Sequence, residues 1–282
     1  MHKETVFLNG KFISTQEARV SALSPGFLYG WGLFETMRSY DRNIVYLGRH
    51  LERLKKSAKL LGLVSPYSLS RIKSLAAVTV KRCGAKDVYL RITLWGSASG
   101  TGCMIIAKEY LPPKPEKYKR GLSACISPLR QAQDHFFARI KTSSRILYEL
   151  SYRLAKNNNF DEALILNNRG YICEASRSNI FFIKSGSLFT PALKCGCLPG
   201  ITRRVVFDIA RRCVIPVEEG NFTAEDLLKS EGAFFTNSLI GIMPLSKLDN
   251  RPINNCRVHR LTRLLIQQYA RLYPCSQAGF LL

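Results

Sequence analysis

A cluster of prolines near residue 112 constrains the fold of this chain more than any other feature. Leu111-Pro112-Pro113-Lys114-Pro115-Glu116 packs three prolines into four positions, directly ahead of Lys117-Tyr118-Lys119-Arg120. Proline has no backbone N–H and a fixed φ, so neither a helix interior nor a central strand can run through this stretch. The spacing predicts an extended linker and two folding units. A length of 282 residues suits that division, at roughly 100–200 residues per domain. We place a first domain at 1–115, a linker with an opening strand at 116–130, and a second domain at 131–282.

Both halves mix helix and strand patterns. Val6–Leu8 and Phe12-Ile13 flank Asn9-Gly10, a strong hairpin signal. Leu33–Arg38 and Ile44–Tyr46 read as strands around Asp41-Arg42-Asn43. Leu47, Leu51, Leu54, Ala58 and Leu61 then recur at helical spacing, and Gly62 ends that helix. A second helix within Ser68–Cys83 and strands at Val88–Trp95 and Met104–Ala107 follow. Beyond the prolines, a short strand precedes a helix from about Ser144 to Asn157. Strands are predicted at Ala163–Leu166, Tyr171–Cys173, Ile180–Ile183, Leu188–Thr190, Ala233–Phe235 and Ile242–Pro244, and helices at Thr202–Cys213 and His259–Leu272. Thr223 and Asp226 resemble a capping box. The fold class is α+β.

Composition narrows the partners. With 46% hydrophobic and 22% charged residues the chain is an ordinary globular one, not disordered or collagenous. Its net charge of +22 points to anionic partners: nucleic acid, an anionic membrane or acidic small molecules. Arg49, Arg53, Lys55, Lys56 and Lys59 fall on the amphipathic helix, where such residues read as a solvated face, and no nucleic-acid-binding motif accompanies them. Non-catalytic binding of anions or nucleic acid therefore stands as a distant alternative. The nine cysteines are odd in number and scattered, and the close pair Cys195-Gly196-Cys197 lacks zinc-type partners. Reduced thiols and no metal are expected. The N-terminal residues lack the apolar core of a signal peptide, and the longest uncharged stretch, Gly232–Ser246, is too short and polar to span a bilayer. A cytoplasmic protein with no membrane partner is expected.

Four segments hold residues that suggest chemistry. Lys141, in Arg139–Arg145, follows an apolar residue and precedes a small polar turn. A desolvated lysine loses its charge easily and can form a Schiff base with an aldehyde, although taken alone Lys141 reads far more readily as a snorkelling surface residue. Glu174 lies in a turn of small polar residues between strands, where a carboxylate could hold a ring proton. Leu198-Pro199-Gly200 opens a helix whose first N–H groups suit a phosphate. Glu231–Pro244 sets Thr236, Asn237 and Ser238 at a strand end, a source of anion donors.

In this order and spacing, the four segments resemble the class IV, fold type IV pyridoxal-phosphate enzymes. Phe7–Gly10, Tyr29–Arg38 and His50–Leu54 add further matches, so the resemblance spans nearly the whole chain. It implies a small α/β domain and a larger pseudo-barrel domain with the cofactor between them, in a homodimer whose partner loop completes the site. Lys141 would be the Schiff-base lysine and proton shuttle, and Glu174 the partner of the pyridine nitrogen. Arg53, the N–H groups of Ile201 and Thr202, and Ser238 with Asn237 beside it would hold the cofactor. Trp31, Arg91, Arg145 and Leu239 would face an anionic, amino-acid-like substrate.

The family includes branched-chain aminotransferase, D-amino-acid aminotransferase and 4-amino-4-deoxychorismate lyase. Arg145, Thr236–Leu239 with Ile242–Pro244, and Cys195–Gly200 are similar to the lyase pattern. The lyase, which makes 4-aminobenzoate and pyruvate for folate synthesis, is thus the first expectation. Branched-chain enzymes carry tyrosine five residues after the lysine, where this chain has Ile146. D-amino-acid enzymes carry an Arg-x-His carboxylate trap, where Arg91 is followed by Thr93. Class IV aminotransferase is the alternative.

Overall fold

A computed structural model describes residues 4–272. The chain forms two compact units, Met1–Pro112 with Ile140–Ser144, and Pro113–Arg139 with Arg145–Leu282.

The first unit contains β1 (Glu4–Leu8), β2 (Lys11–Ile13), α1 (Pro25–Leu28), β3 (Gly32–Tyr40), β4 (Asn43–Ile44), α2 (Leu47–Leu60), α3 (Leu69–Cys83), β5 (Val88–Ser97) and β6 (Gly100–Glu109). Its antiparallel sheet runs in the order β2-β1-β6-β5-β3-β4. Asn9 and Gly10 have φ of +45° and +98°, as the predicted tight hairpin demands. Along α2, Leu47, His50, Leu51, Leu54 and Ala58 turn inward, while Arg49, Lys55, Lys56 and Lys59 stay exposed. Ser68 caps α3 by accepting from the Arg71 N–H. Met37, Ile72, Leu90, Ile92 and Ile105 fill the core, and Ile140 joins them.

The proline stretch is shorter than the predicted linker. Pro115 occupies the first position of a helix, α4 (Pro115–Arg120), where a missing N–H costs nothing. Residues 116–130 are therefore α4 followed by β7 (Leu122–Gln131), both in the second unit. The lysine segment, expected with 131–282, groups with the first unit instead. β4 pairs only with the far end of β3, at Ser39 and Tyr40, which leaves an open edge at its start. There the Phe34 N–H donates to the Lys141 carbonyl at 2.9 Å, and the Ser143 N–H to the Gly32 carbonyl at 2.8 Å.

The second unit adds α5 (Ile146–Asn157), β8 (Glu162–Asn167), β9 (Ile172–Ala175), β10 (Asn179–Lys184), β11 (Ser187–Pro191), α6 (Ile201–Arg212), β12 (Val217–Gly220), α7 (Ala224–Leu228), β13 (Gly232–Asn237), β14 (Gly241–Leu248), β15 (Arg251–Pro252) and α8 (Arg260–Arg271). Its nine-stranded sheet runs β12-β11-β10-β13-β14-β7-β8-β9, with β15 on β14. β7 and β8 are parallel, so the chain needs a long crossover between them. That crossover carries Lys141 and α5. All six residues of β8 are buried, as befits a strand covered on both faces. The capping box at α7 forms: Thr223 Oγ1 accepts from the Asp226 N–H and the Asp226 carboxylate from the Thr223 N–H. Among the described residues no helix is long and apolar enough to cross a membrane. The described cysteines are free thiols, and Cys275 lies outside the described residues.

Candidate active site

In the first unit, a buried carboxylate organises Arg53. Glu35, on β3, is 1% exposed. It accepts from Arg53 Nε at Oε1 and from Arg53 Nη2 at Oε2, both at 2.7 Å. His50 Nδ1 lies 2.6 Å from the same Oε2. Burial alone would push the Glu35 carboxyl up, but the charge of Arg53 and the hydrogen bonds from Arg53 and His50 override it and hold it at about 2. Burial pushes the His50 imidazole down against the pull of Glu35, and the charges of Arg53 and Lys141 add to that. A neutral His50 donates its Nδ1 proton to the carboxylate.

Lys141 is anchored by its backbone to β3, and its Nζ lies 4.8 Å from the centre of the Phe34 ring. Arg91, on β5, sets its guanidinium 3.7 Å from the same ring. Thr93, where the D-amino-acid pattern has histidine, accepts from Arg91 Nε at 3.2 Å. Two cations thus attend one aromatic ring. Trp31 donates its indole N–H to the Leu61 carbonyl at 2.9 Å and packs against Gly96, where a side chain would collide with it.

In the second unit, Glu174 is buried on β9. Its Oε2 accepts from Asn179 Nδ2 and from the Leu198 N–H, each at 3.2 Å. Asn179 Nδ2 also donates to the Leu198 carbonyl at 2.9 Å, which ties the carboxylate to the turn before α6. The first hydrogen bond of that helix runs from the Arg204 N–H to the Gly200 carbonyl, so the N–H groups of Ile201 and Thr202 precede the ladder. On the neighbouring strand Asn179 faces Thr236 in register. Asn237 Nδ2 donates to the Arg177 carbonyl and Ser178 Oγ, while Asn237 Oδ1 accepts from the N–H groups of Leu239 and Ile240. Its amide builds the turn on which Ser238 and Leu239 sit, half-buried. Arg145 Nη2 donates to the Ser176 carbonyl at 2.9 Å, and its guanidinium lies 4.0 Å over the Tyr148 ring.

Comparison with known proteins decides the family. The profile of the amino-transferase class IV family matches residues 32–248. The chain belongs to this family. It is 30% identical over 272 residues, 94% of each chain, to a putative branched-chain-amino-acid aminotransferase of Methanocaldococcus jannaschii. It is 28% identical, over 86% of each chain, to an aminodeoxychorismate lyase of Bacillus subtilis. The branched-chain amino acid aminotransferase of a T.th. strain, crystallised with pyridoxamine 5'-phosphate, superimposes with a TM-score of 0.89 at 26% identity, covering 95% of this chain and 93% of that one. The fold is accordingly the α+β fold type IV, and the class IV cofactor is pyridoxal phosphate.

The donor chemistry of this class IV chain fits that cofactor. It offers one amine in Lys141, a buried carboxylate in Glu174, a guanidinium in Arg53 and a helix N-terminus at Ile201-Thr202. Thr236 Oγ1, buried next to Asn237, has no hydrogen-bond partner among the described residues. Three further residues, two in the first unit and one in the second, belong to these separate networks of side chains. His50 falls on the apolar stripe of α2 with Leu47, Leu51 and Leu54, a signal that it faces inward. Glu35 is a carboxylate inside a strand that is otherwise largely apolar, and a buried carboxylate needs partners. Tyr148, the third, accepts from Gln131 Nε2 at 3.0 Å, and burial together with the charge of Glu174 pushes its phenol up. Ile146, which takes the place of the branched-chain tyrosine, is 69% exposed.

Proposed function

We propose that this class IV enzyme moves an amino group between an α-amino acid and a 2-oxo acid, with a branched-chain amino acid as donor. The observation that carries this reading is near full-length likeness to proteins named branched-chain aminotransferases, in sequence and in structure. It reverses the order of the two expectations, because the lyase has narrower support among the relatives. Ile146 still departs from the branched-chain pattern, and the lyase stands as the second reading.

When bound, pyridoxal phosphate supplies an aldehyde carbon that takes up amino groups and a ring that accepts electrons from the substrate Cα. In this reading Lys141 attaches the cofactor through Nζ and moves the proton at the substrate Cα. Glu174 holds the proton on the ring nitrogen. Arg53, the N–H groups of Ile201 and Thr202, and Ser238 Oγ bind the phosphate, with Asn237 shaping the turn beneath. Arg91 and Arg145 are half-buried cations suited to an anionic substrate, and Trp31 and Leu239 line its side. The enzyme works as a homodimer in the cytoplasm.

The test is acceptor dependence. Purified enzyme with leucine, isoleucine or valine should form the matching 2-oxo acid beyond one equivalent per site only when a second 2-oxo acid is present to take the amino group. Pyruvate release from aminodeoxychorismate with no acceptor would instead establish the lyase, the reading that the Bacillus subtilis relative favours. Turnover confined to D-amino acids would overturn the branched-chain assignment.

A further inference from the structure

Every basic residue of α6 and α8 is an arginine: Arg203, Arg204, Arg211 and Arg212 on the first, Arg260, Arg263 and Arg271 on the second. The basic helix α2, by contrast, carries Lys55, Lys56 and Lys59 beside its arginines. The two arginine helices lie on one side of the second unit's sheet. Gly232 and Phe234 are two apart on β13 and so share a face. On that face His259, at the start of α8, packs on Gly232, while Phe234 stacks with Phe181, which meets Phe207 of α6. α6 and α8 also touch each other, so their outer surfaces are neighbours, about 8–10 Å apart.

Arg203 is buried and donates to the Pro191 carbonyl and to Glu219. The other six are exposed, three on one stripe of α6 and three on one stripe of α8. Among the described residues only Arg204 of these six pairs with a carboxylate, that of Asp208 at 3.6 Å. Elsewhere in this unit exposed cations share carboxylates, Arg153 and Arg177 on Glu149, Lys229 and Arg251 on Glu225. Arg260 and Arg263 stand in the first turn of α8, where the helix dipole repels cations and no acidic residue offsets them. Helix stability therefore does not account for them. A merely solvated face mixes both signs and takes lysine as readily as arginine.

We infer that the paired outer faces of α6 and α8 bind the phosphate backbone of double-stranded nucleic acid without reading its sequence. A guanidinium fork matches two phosphate oxygens at once, which an ammonium does not. Over the eleven residues from Arg260 to Arg271, α8 rises about 16 Å. A duplex carries a charge about every 1.7 Å of its axis, so several phosphates fall within that span. A lone phosphate would engage one or two of the six. Proteins that hold single strands stack the bases on exposed aromatics, and here Phe207 is half-buried and Tyr269 buried. None of the six arginines is assigned to cofactor or substrate, so the inference stands apart from the transaminase reading.

The test is fluorescence anisotropy of two labelled duplexes, each of about 20 base pairs and of unrelated sequence, titrated with the full chain. Both should bind alike, with Kd of about 1–100 μM near physiological salt and a steep loss of affinity as salt rises. Arg211→Gln, Arg212→Gln, Arg260→Gln and Arg263→Gln together should weaken binding more than about tenfold and flatten the log–log salt slope by about 3. The same four positions changed to lysine should keep the slope and lose about threefold in affinity. That set carries the test if the glutamine set does not fold. Lys55→Gln, Lys56→Gln, Lys59→Gln and Lys73→Gln remove as much charge from the first unit and should change affinity by less than about threefold. Equal losses in the two glutamine sets would make net charge the cause and overturn the inference. A wild-type chain that leaves both duplexes free at low salt, binds only one of them, or prefers a single strand of the same length overturns it as well.

Discussion

At the residue scale, Glu35 poses a physical question. A carboxylate that saturates two nitrogens of Arg53 weakens that arginine as a point charge for phosphate, yet fixes its plane. In a site that must aim a planar donor, orientation is worth more than bare charge. Removing one partner of a buried pair costs about 3–5 kcal/mol. Glu35→Gln should therefore lower unfolding stability by about that amount and weaken cofactor uptake by the apo-protein, measured by denaturant titration and by pyridoxal phosphate binding. The sign of the pH dependence follows from the depressed carboxyl. Its contribution is complete above the ordinary value of 4.5 and is lost as pH falls through about 2. That window corresponds to about 3 kcal/mol. His50, also depressed, withdraws stability in the same direction, starting below its ordinary 6.5. Thermal melts should fall steadily in acid, and Glu35→Gln should flatten the steepest part. At Lys141 the expected outcome is sharper. Borohydride should fix the cofactor to the peptide carrying Lys141, and Lys141→Ala should lose both the adduct and turnover while keeping its circular dichroism.

At the element scale, the turn into α6 shows why Gly200 is glycine. Its φ of −67° is open to any residue, so backbone freedom is not the reason. A Cβ there would run into Asn179 Oδ1, displacing the amide that bridges Glu174 and the Leu198 carbonyl. Gly200→Ala should cost about 1–3 kcal/mol and reduce cofactor affinity, whereas Gly48→Ala on α2, with open space around it, should cost nothing. The same contrast explains what the sequence makes legible. The Asn9-Gly10 hairpin, α2, α3 and the α7 cap are encoded by neighbours within a turn or two, and each forms where predicted. The residues assigned to class IV chemistry are read from motif type and spacing alone, and their roles remain the proposal made above. By contrast, the ten residues of β7 pair in parallel on both sides, with register shifts on both β8 and β14, and read as only a short strand. The lysine segment joins β3 through hydrogen bonds to residues more than a hundred positions away. Pairings of that kind leave no local periodicity to read. Glu35 and Tyr148 stay silent for the same reason: their partners arrive only with the fold.

At the scale of the whole molecule, two features pull in opposite directions. Val20, Leu23, Phe27, Leu28 and Tyr29 stand exposed within ten residues of the first unit, Leu23 by 80% and Phe27 by 71%. Apolar clusters of this kind mark association surfaces more often than free ones. The net charge of +22, however, makes two copies of the chain repel each other. If a second copy covers the apolar run, salt should tighten the dimer by screening that repulsion, since the Debye length shrinks to about 8 Å at physiological ionic strength. Capture of an anionic cofactor or substrate should show the reverse, slowing as salt rises, because the same positive field steers it inward. Sedimentation velocity across a salt series, paired with the association rate of pyridoxal phosphate, reads both signs at once. Leu23→Asp with Phe27→Asp should yield a monomer at every salt concentration, leaving the salt dependence of cofactor association in place. A dimer that persists in that double variant would move the interface elsewhere on the chain.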